Sequence, residues 1–140
     1  MGGFAHPKDL SGRVGRKCSL SRFYLWEDSM AQKPMVIEMG TGMDVHGGDV
    51  TKAARRAVEA AIRHNGLPLV RQLGKGPDDM RVDVLVGVPR PEEVRADGVL
   101  DVLPFGTKSL KAVPGGLEVP FPGGEPIIMA TAAVTVSLEL

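Results

Sequence analysis

Between residues 50 and 62 the apolar side chains Val50, Ala53, Ala54, Ala57, Val58, Ala61 and Ile62 recur at i, i+3, i+4, i+7, i+8, i+11 and i+12. An α-helix places that whole set on one face. Asp49 stands at the N-cap position and Asn65-Gly66 supplies a stop, so the spacing predicts a helix over 49–64. Most of the stripe is alanine, whose small side chain lets a helix approach its support closely. The helix is therefore expected to lie flat on a sheet. Lys52, Arg55, Arg56, Glu59 and Arg63 fall largely off the stripe, with Glu59 four residues before Arg63.

The remaining segments supply that sheet. Met35 to Met39 is an apolar run broken by Glu38 and reads as a strand leading into a loop with glycines at 40, 42, 47 and 48. Val82, Val84, Val86 and Val88 alternate with Asp83, Leu85 and Gly87, a strand with one fully apolar face, ended by Pro89 and Pro91. Residues 67–80 read as irregular chain, and Glu92 to Leu103 as one short helix weakened by Gly98. Ser109–Val113 and Leu117–Phe121 flank Pro114-Gly115-Gly116 and read as a hairpin. Ala132, Val134, Val136, Leu138 and Leu140 alternate with Ala133, Thr135, Ser137 and Glu139, a long half-buried strand. The expected class is α/β (α+β), a mixed β-sheet with one long helix on one face. Its order is strand, helix, strand, short helix, hairpin, strand.

The last strand turns Thr131, Ala133, Thr135 and Ser137 toward the second face of the sheet. Residues so small and uncharged do not look like free surface, so a homo-oligomer is expected, with several sheets closing around a symmetry axis as a trimer or another multiple. A chain of 140 residues, 43% of them hydrophobic, can fold as one domain without a staple, and its single cysteine excludes an intramolecular disulfide framework. Seventeen Lys+Arg balance 17 Asp+Glu, leaving no global field to attract nucleic acid or an anionic membrane. The longest apolar stretches fall short of the roughly 20 residues that a bilayer span needs. The partner expected is a small molecule, with no nucleic acid and no membrane, in a cytoplasmic setting.

The first 30 residues differ in kind. They hold Phe4, Phe23, Tyr24 and Trp26, the lone Cys18 and His6, without an apolar period. Residues 10–26 carry Arg13, Arg16, Lys17 and Arg22 and no acid, faintly the composition of a transit peptide, but Gly12 and Gly15 would spoil an amphipathic helix. Residues 1–30 are expected as a poorly ordered extension ahead of an α/β domain over 31–140. Phe23, Tyr24 and Trp26 form a cluster suited to docking on the domain or on a neighbouring subunit.

Chemistry-bearing side chains concentrate in Glu38 to Lys52, EMGTGMDVHGGDVTK. A loop beyond the carboxyl end of a strand and at the start of a helix presents backbone N–H groups to anions or polarised oxygens. Known phosphate loops do not fit: a dinucleotide fingerprint from Gly40 would need glycine where Val45 stands, and a Walker loop would need Gly-Lys-Ser/Thr where Gly47-Gly48-Asp49 stands. Asp44, His46 and Asp49 could together transfer protons or hold a divalent cation, the latter only with help from Glu38 or another element. Each also has a structural role open to it, Asp49 as helix cap, Asp44 as turn residue and His46 as a loop side chain. Glu38 is either a solvated edge residue or, in a crevice, a general base. Lys52 opposes the dipole preference of a first helical turn unless it meets an acid or an anionic ligand, and an ion pair with Asp49 or Glu38 is the simple expectation. His64 falls at the helix end, where it can interact with the dipole. Lys108, Ser109 and Lys111 would permit a serine-lysine nucleophile, an arrangement that short alternating runs often contain by chance.

The run Ile37 to Ala57 resembles the signature of a Lin-type family of small conserved hypothetical proteins, named for a locus rather than an activity, and the resemblance covers residues 35–140. It implies that Glu38, Asp44, His46, Asp49 and Lys52 belong to the family's polar signature and brings no established reaction. In element order alone the chain is similar to the trimeric chorismate mutase fold and to ring-opening amidohydrolases acting on cyclic amides, which place ligands in clefts between subunits or repeats. Asp49-Val50-Thr51-Lys52 resembles their Asp-x-Thr-Arg element, with Lys52 where arginine would stand and bidentate recognition lost.

Two functions follow from these readings. One is an oligomeric enzyme binding a polar small molecule in a cleft lined by Gly40, Thr41, Gly42, Asp44, Gly47 and Gly48. In it His46 and Asp49 or Glu38 act as acid and base and Lys52 faces a developing oxyanion, hydrolysis of a cyclic amide being the concrete version. The other is a non-catalytic ligand-binding or assembly module, whose glycines serve backbone geometry and whose carboxylates serve capping. The cofactor is unknown from these residues, and a metal ion enters only as a variant of these readings.

Overall fold

The computed structural model describes residues 32–63 and 68–140. The expected extension over 1–30, His64 and the helix stop at Asn65-Gly66 lie outside the described residues. The elements are β1 (Gln32–Asp44), α1 (Val50–Ile62), α2 (Pro68–Gln72), β2 (Met80–Val88), α3 (Ala96–Leu100), β3 (Thr107–Pro114), β4 (Leu117–Val119) and β5 (Ile127–Glu139). Short 3-10 turns form at Pro77–Asp79 and Pro91–Glu93. The five strands make one open, mixed sheet in the order β1-β5-β2-β3, with β4 beside the first residues of β5. β5 runs antiparallel to β1 and β2, while β2 and β3 are parallel. The mixed sheet with its long helix is the architecture that the periodicities predict.

The helix forms where its stripe is densest. Val50, Ala53, Ala54, Ala57, Val58 and Ala61 are all buried, against Val82, Val84, Val86 and Val88 of β2 and Ile128, Ala130, Ala132, Val134, Val136 and Leu138 of β5. The alternation of β2 and β5 thus points one set of side chains at α1, as a period of two requires. Leu140, counted with that set, lies past the end of β5 and is exposed. On the charged side of α1, Glu59 pairs with Arg55 at 3.5 Å rather than with Arg63, and Arg55 reaches across to Asp101 at 2.7 Å.

β1 is longer than its apolar run suggests. It continues through Gly40 and Gly42 to Asp44, so these two glycines belong to a strand and not to a loop. The reason is the helix: a Cβ on Gly40 would lie 2.4 Å from the Ala57 carbonyl oxygen, and one on Gly42 would lie 2.3 Å from the Ala57 nitrogen. The backbone of α1 occupies the space that side chains would need.

Two further readings are corrected by the pairing. Residues 109–113 and 117–121 do not form a hairpin: β3 pairs in parallel with β2, whereas β4 pairs with β5 beyond the end of β2. The chain crosses the end of β2 at Gly115-Gly116, where a Cβ on Gly115 would come within 3.1 Å of the Gly87 Cα. Glycine on both sides makes that crossing possible. The helix expected over 92–103 is divided into the 3-10 turn at Pro91–Glu93 and α3, and Gly98 gives α3 room to pass the Thr51 methyl. Likewise, residues 67–80 are not wholly irregular, since they contain α2 and a 3-10 turn.

Gly42→Val is expected to destabilise the protein by about 3 kcal/mol or more, because rigid backbone and not a movable side chain fills the site. Thr41→Val, on the exposed face of the same strand, should stay within about 0.5 kcal/mol of wild type. Equilibrium urea unfolding of the two variants measures the contrast.

Candidate functional site

The polar segment is organised by one buried carboxylate. β1 ends at Asp44, whose side chain is 1% exposed. Its Oδ2 accepts the Asp49 backbone N–H at 2.9 Å, closing the loop that links β1 to α1. Its Oδ1 has no hydrogen bond among the described residues, but faces the Lys52 ammonium at 3.4 Å and the Arg56 guanidinium at 3.9 Å. Burial works to raise the Asp44 pKa. The backbone N–H of Asp49, the Lys52 ammonium and the backbone N–H of His46 outweigh it and hold the carboxyl below its ordinary value. Lys52 in the first turn is thus explained by an acid, but the partner is Asp44 and not the expected Asp49 or Glu38, because Asp44 ends β1 directly beneath that turn.

Asp49 performs the capping role. Its carboxylate accepts the N–H groups of Thr51 at 2.9 Å and Lys52 at 3.2 Å, satisfying donors that a helix start leaves open. The loop from β1 reaches this cap through Gly47 and Gly48, both at positive φ (109° and 60°), a conformation that glycine adopts without strain. The His46 side chain is exposed and has no partner among the described residues.

Two residues outside the predicted set fasten this corner to the rest of the molecule. Arg90 donates to the Gly48 carbonyl at 2.9 Å and to the carboxylates of Glu93 and Glu118. Thr51, buried, donates to the Glu93 carbonyl at 3.3 Å and accepts the Arg95 N–H at 3.1 Å. The sequence signal for Arg90 is its place between Pro89 and Pro91, where a side chain leaves a stiff piece of chain at the end of a strand. Thr51 stands in the Asp49-Val50-Thr51-Lys52 element, but nothing local in the sequence points to this role, because both its partners come from the turn after β2.

Glu38 is elsewhere. It shares the helix-facing side of β1 with Gly40, Gly42 and Asp44, but it lies six positions before Asp44 along the strand, a distance of about 20 Å. Its side chain lines an apolar hollow near Ile62, at the other end of α1. The structure therefore gathers Asp44, Asp49, Lys52 and the His46 backbone at one corner and leaves Glu38 apart. Gly40 and Gly42 face helix backbone, and Thr41 lies exposed on the opposite side of the sheet, paired with Thr131. Ser109, considered with Lys108 and Lys111 as a nucleophile, donates its hydroxyl to Asp83. Among the described residues, no three His, Cys, Asp or Glu side chains converge as a metal site would require.

The fold and this corner define a small α+β protein in which, among the described residues, one sheet face is covered and the other open, and in which Asp44 and Asp49 accept backbone N–H groups. The chain belongs to the Lin0512 family of conserved hypothetical proteins, whose sequence profile matches residues 34–136. A crystal structure described as an FtsZ-like protein of unknown function from Nostoc punctiforme PCC 73102 is 44% identical, with a TM-score of 0.72, covering 79% of this chain and 99% of that one. No curated protein matches the chain. Among the described residues, no helix is long and apolar enough to cross a membrane.

A depressed folded-state pKa stabilises the protein above the ordinary carboxylate value, and that contribution is lost as pH falls through the folded value. Asp44→Asn is expected to cost about 1–3 kcal/mol at neutral pH. The difference between wild type and variant should be constant above about pH 5 and shrink below about pH 4. Urea unfolding across that range measures it, and a difference that ignores pH would remove the charged brace from the account.

Proposed function

We propose that this protein is a non-catalytic assembly module whose copies associate through the uncovered face of the sheet. The observation that carries the reading is the composition of that face. Register aligns Met43, Met129 and Leu117 in one row, and Met39, Ala133 and Leu85 in another. Met39 is 74% exposed, and Ile37, Met43, Leu117 and Val119 are each about half exposed. Thr41 and Thr131 lie between these rows, Thr135 lies beside Ile37 beyond the second, and none of them carries charge. Lys111 ends the Met39 row beside Leu85, and toward the far end Arg81 and Asp83 neutralise each other at 3.2 Å. Monomeric proteins rarely leave a contiguous apolar patch of this kind in water.

A second copy is the natural cover, since two such sheets can pack face to face and closed symmetric assemblies satisfy identical patches on every chain. A trimer or another closed multiple agrees with this requirement. The signature residues suit the module as well, because Asp44, Asp49 and the loop glycines support the start of α1. The finer alternative, a hydrolase of cyclic amides using His46 with Asp49 or Glu38, needs acid and base within hydrogen-bond reach of one substrate. It has less support, as Asp49 is engaged in capping and Glu38 lies at the opposite end of the helix.

Sedimentation velocity tests the proposal. Wild type is expected to sediment as a discrete oligomer of the 14.9 kDa chain, and Met39→Lys as a monomer with unchanged far-ultraviolet circular dichroism. A wild-type protein that stays monomeric at high micromolar concentration would overturn it.

A further inference from the structure

We propose that the apolar hollow beyond the C-terminal end of α1 is a binding site for an amphipathic monocarboxylate, its apolar tail inside and its anionic head on Arg71 and Lys75. The hollow exists because β1 and β5 outrun the helix. α1 ends at Ile62, while the sheet continues past it through Val36, Val134 and Val136. Among the described residues, α2 on one side and Leu103–Phe105 on the other wall off the stretch beyond the helix, leaving about 360 Å³. That volume lies in the range of small-molecule sites, which join an apolar lining to a few placed polar groups.

Three charged side chains line it: Glu38, Arg71 and Lys75. None has an ion pair or a side-chain hydrogen bond among the described residues. Lys52, Arg55, Arg56, Arg81 and Arg90 are engaged with carboxylates, whereas Lys33, Arg63, Arg95 and Lys108 share with Arg71 and Lys75 the lack of an ion pair among the described residues but do not line this hollow. Two unengaged cations against one carboxylate favour an anionic head, and guanidinium matches a carboxylate in bidentate geometry. Arg71 is the principal head ligand, since Lys75 also borders the adjoining cleft that contains Asp78 and Asp79. Asp79 is occupied by the Gly76 N–H at 2.7 Å. Glu38, on the sheet, repels the head and orients the tail inward. The site lies on the helix side of the sheet and within one chain, so it stands independently of the assembly proposed above.

Isothermal titration of the full chain with decanoate and, separately, decylamine, both below their micellar concentrations, tests the assignment. Decanoate is expected to bind saturably, one per chain, and Arg71→Ala to weaken it about tenfold. Lys75→Ala should weaken it less, and Glu38→Gln should leave it equal or tighter. Met39→Lys, on the opposite face, should leave binding unchanged whatever the oligomeric state. Absence of saturable decanoate binding, indifference to Arg71→Ala, or tighter binding of decylamine abolished by Glu38→Gln would each overturn the proposal.

Discussion

The close contact between the backbone of α1 and the two glycines of β1 governs much of the rest. Gly40 and Gly42 let the helix rest on bare strand, and Ala53, Ala57 and Ala61 keep its own side of the contact thin. The seating of α1 in turn brings its first turn over the end of β1. Only at that height can the Asp44 carboxylate reach the Asp49 N–H and meet Lys52. A side chain at either glycine would lift the helix and open this corner.

The polar signature is therefore best understood as an answer to unpaired backbone. A helix start exposes N–H groups that must find acceptors, and a tight loop closing onto it adds another. Asp49 serves the helix and Asp44 serves the loop, while Arg90 and Thr51 bind the same corner to the turn after β2. A buried carboxylate is tolerable because N–H donors and a cation face it.

The sheet divides the molecule into two regions with different chemistry. Its inner face is closed by α1 from Asp44 to about Glu38 and hollow past Ile62, where charged side chains rim apolar walls. Its outer face is broad and apolar near Met39 and Met43, with Lys111 at the β3 end of the Met39 row and Arg81 and Asp83 further along the sheet. The first shape suits a small amphipathic solute and the second a flat, self-complementary surface. In the proposed reading the two uses do not compete, because the thickness of the sheet separates them.

Periodicity and capping chemistry are local, and the sequence by itself determined what depends on them: the helix that begins after Asp49, the alternation that buries Val82 to Val88 and Ala132 to Leu138, and the mixed α+β class. Only the tertiary structure decided what depends on a distant neighbour. Gly40 and Gly42 look like loop residues until the helix above them is known, since the reason for a missing Cβ lies on another element. Strand partners are likewise non-local, so Pro114-Gly115-Gly116 resembles a hairpin turn although it carries the chain across the end of β2. Glu38 and His46 stand eight residues apart in a short polar run. Because the chain between them stays extended through Asp44, the fold sends them to opposite ends of α1.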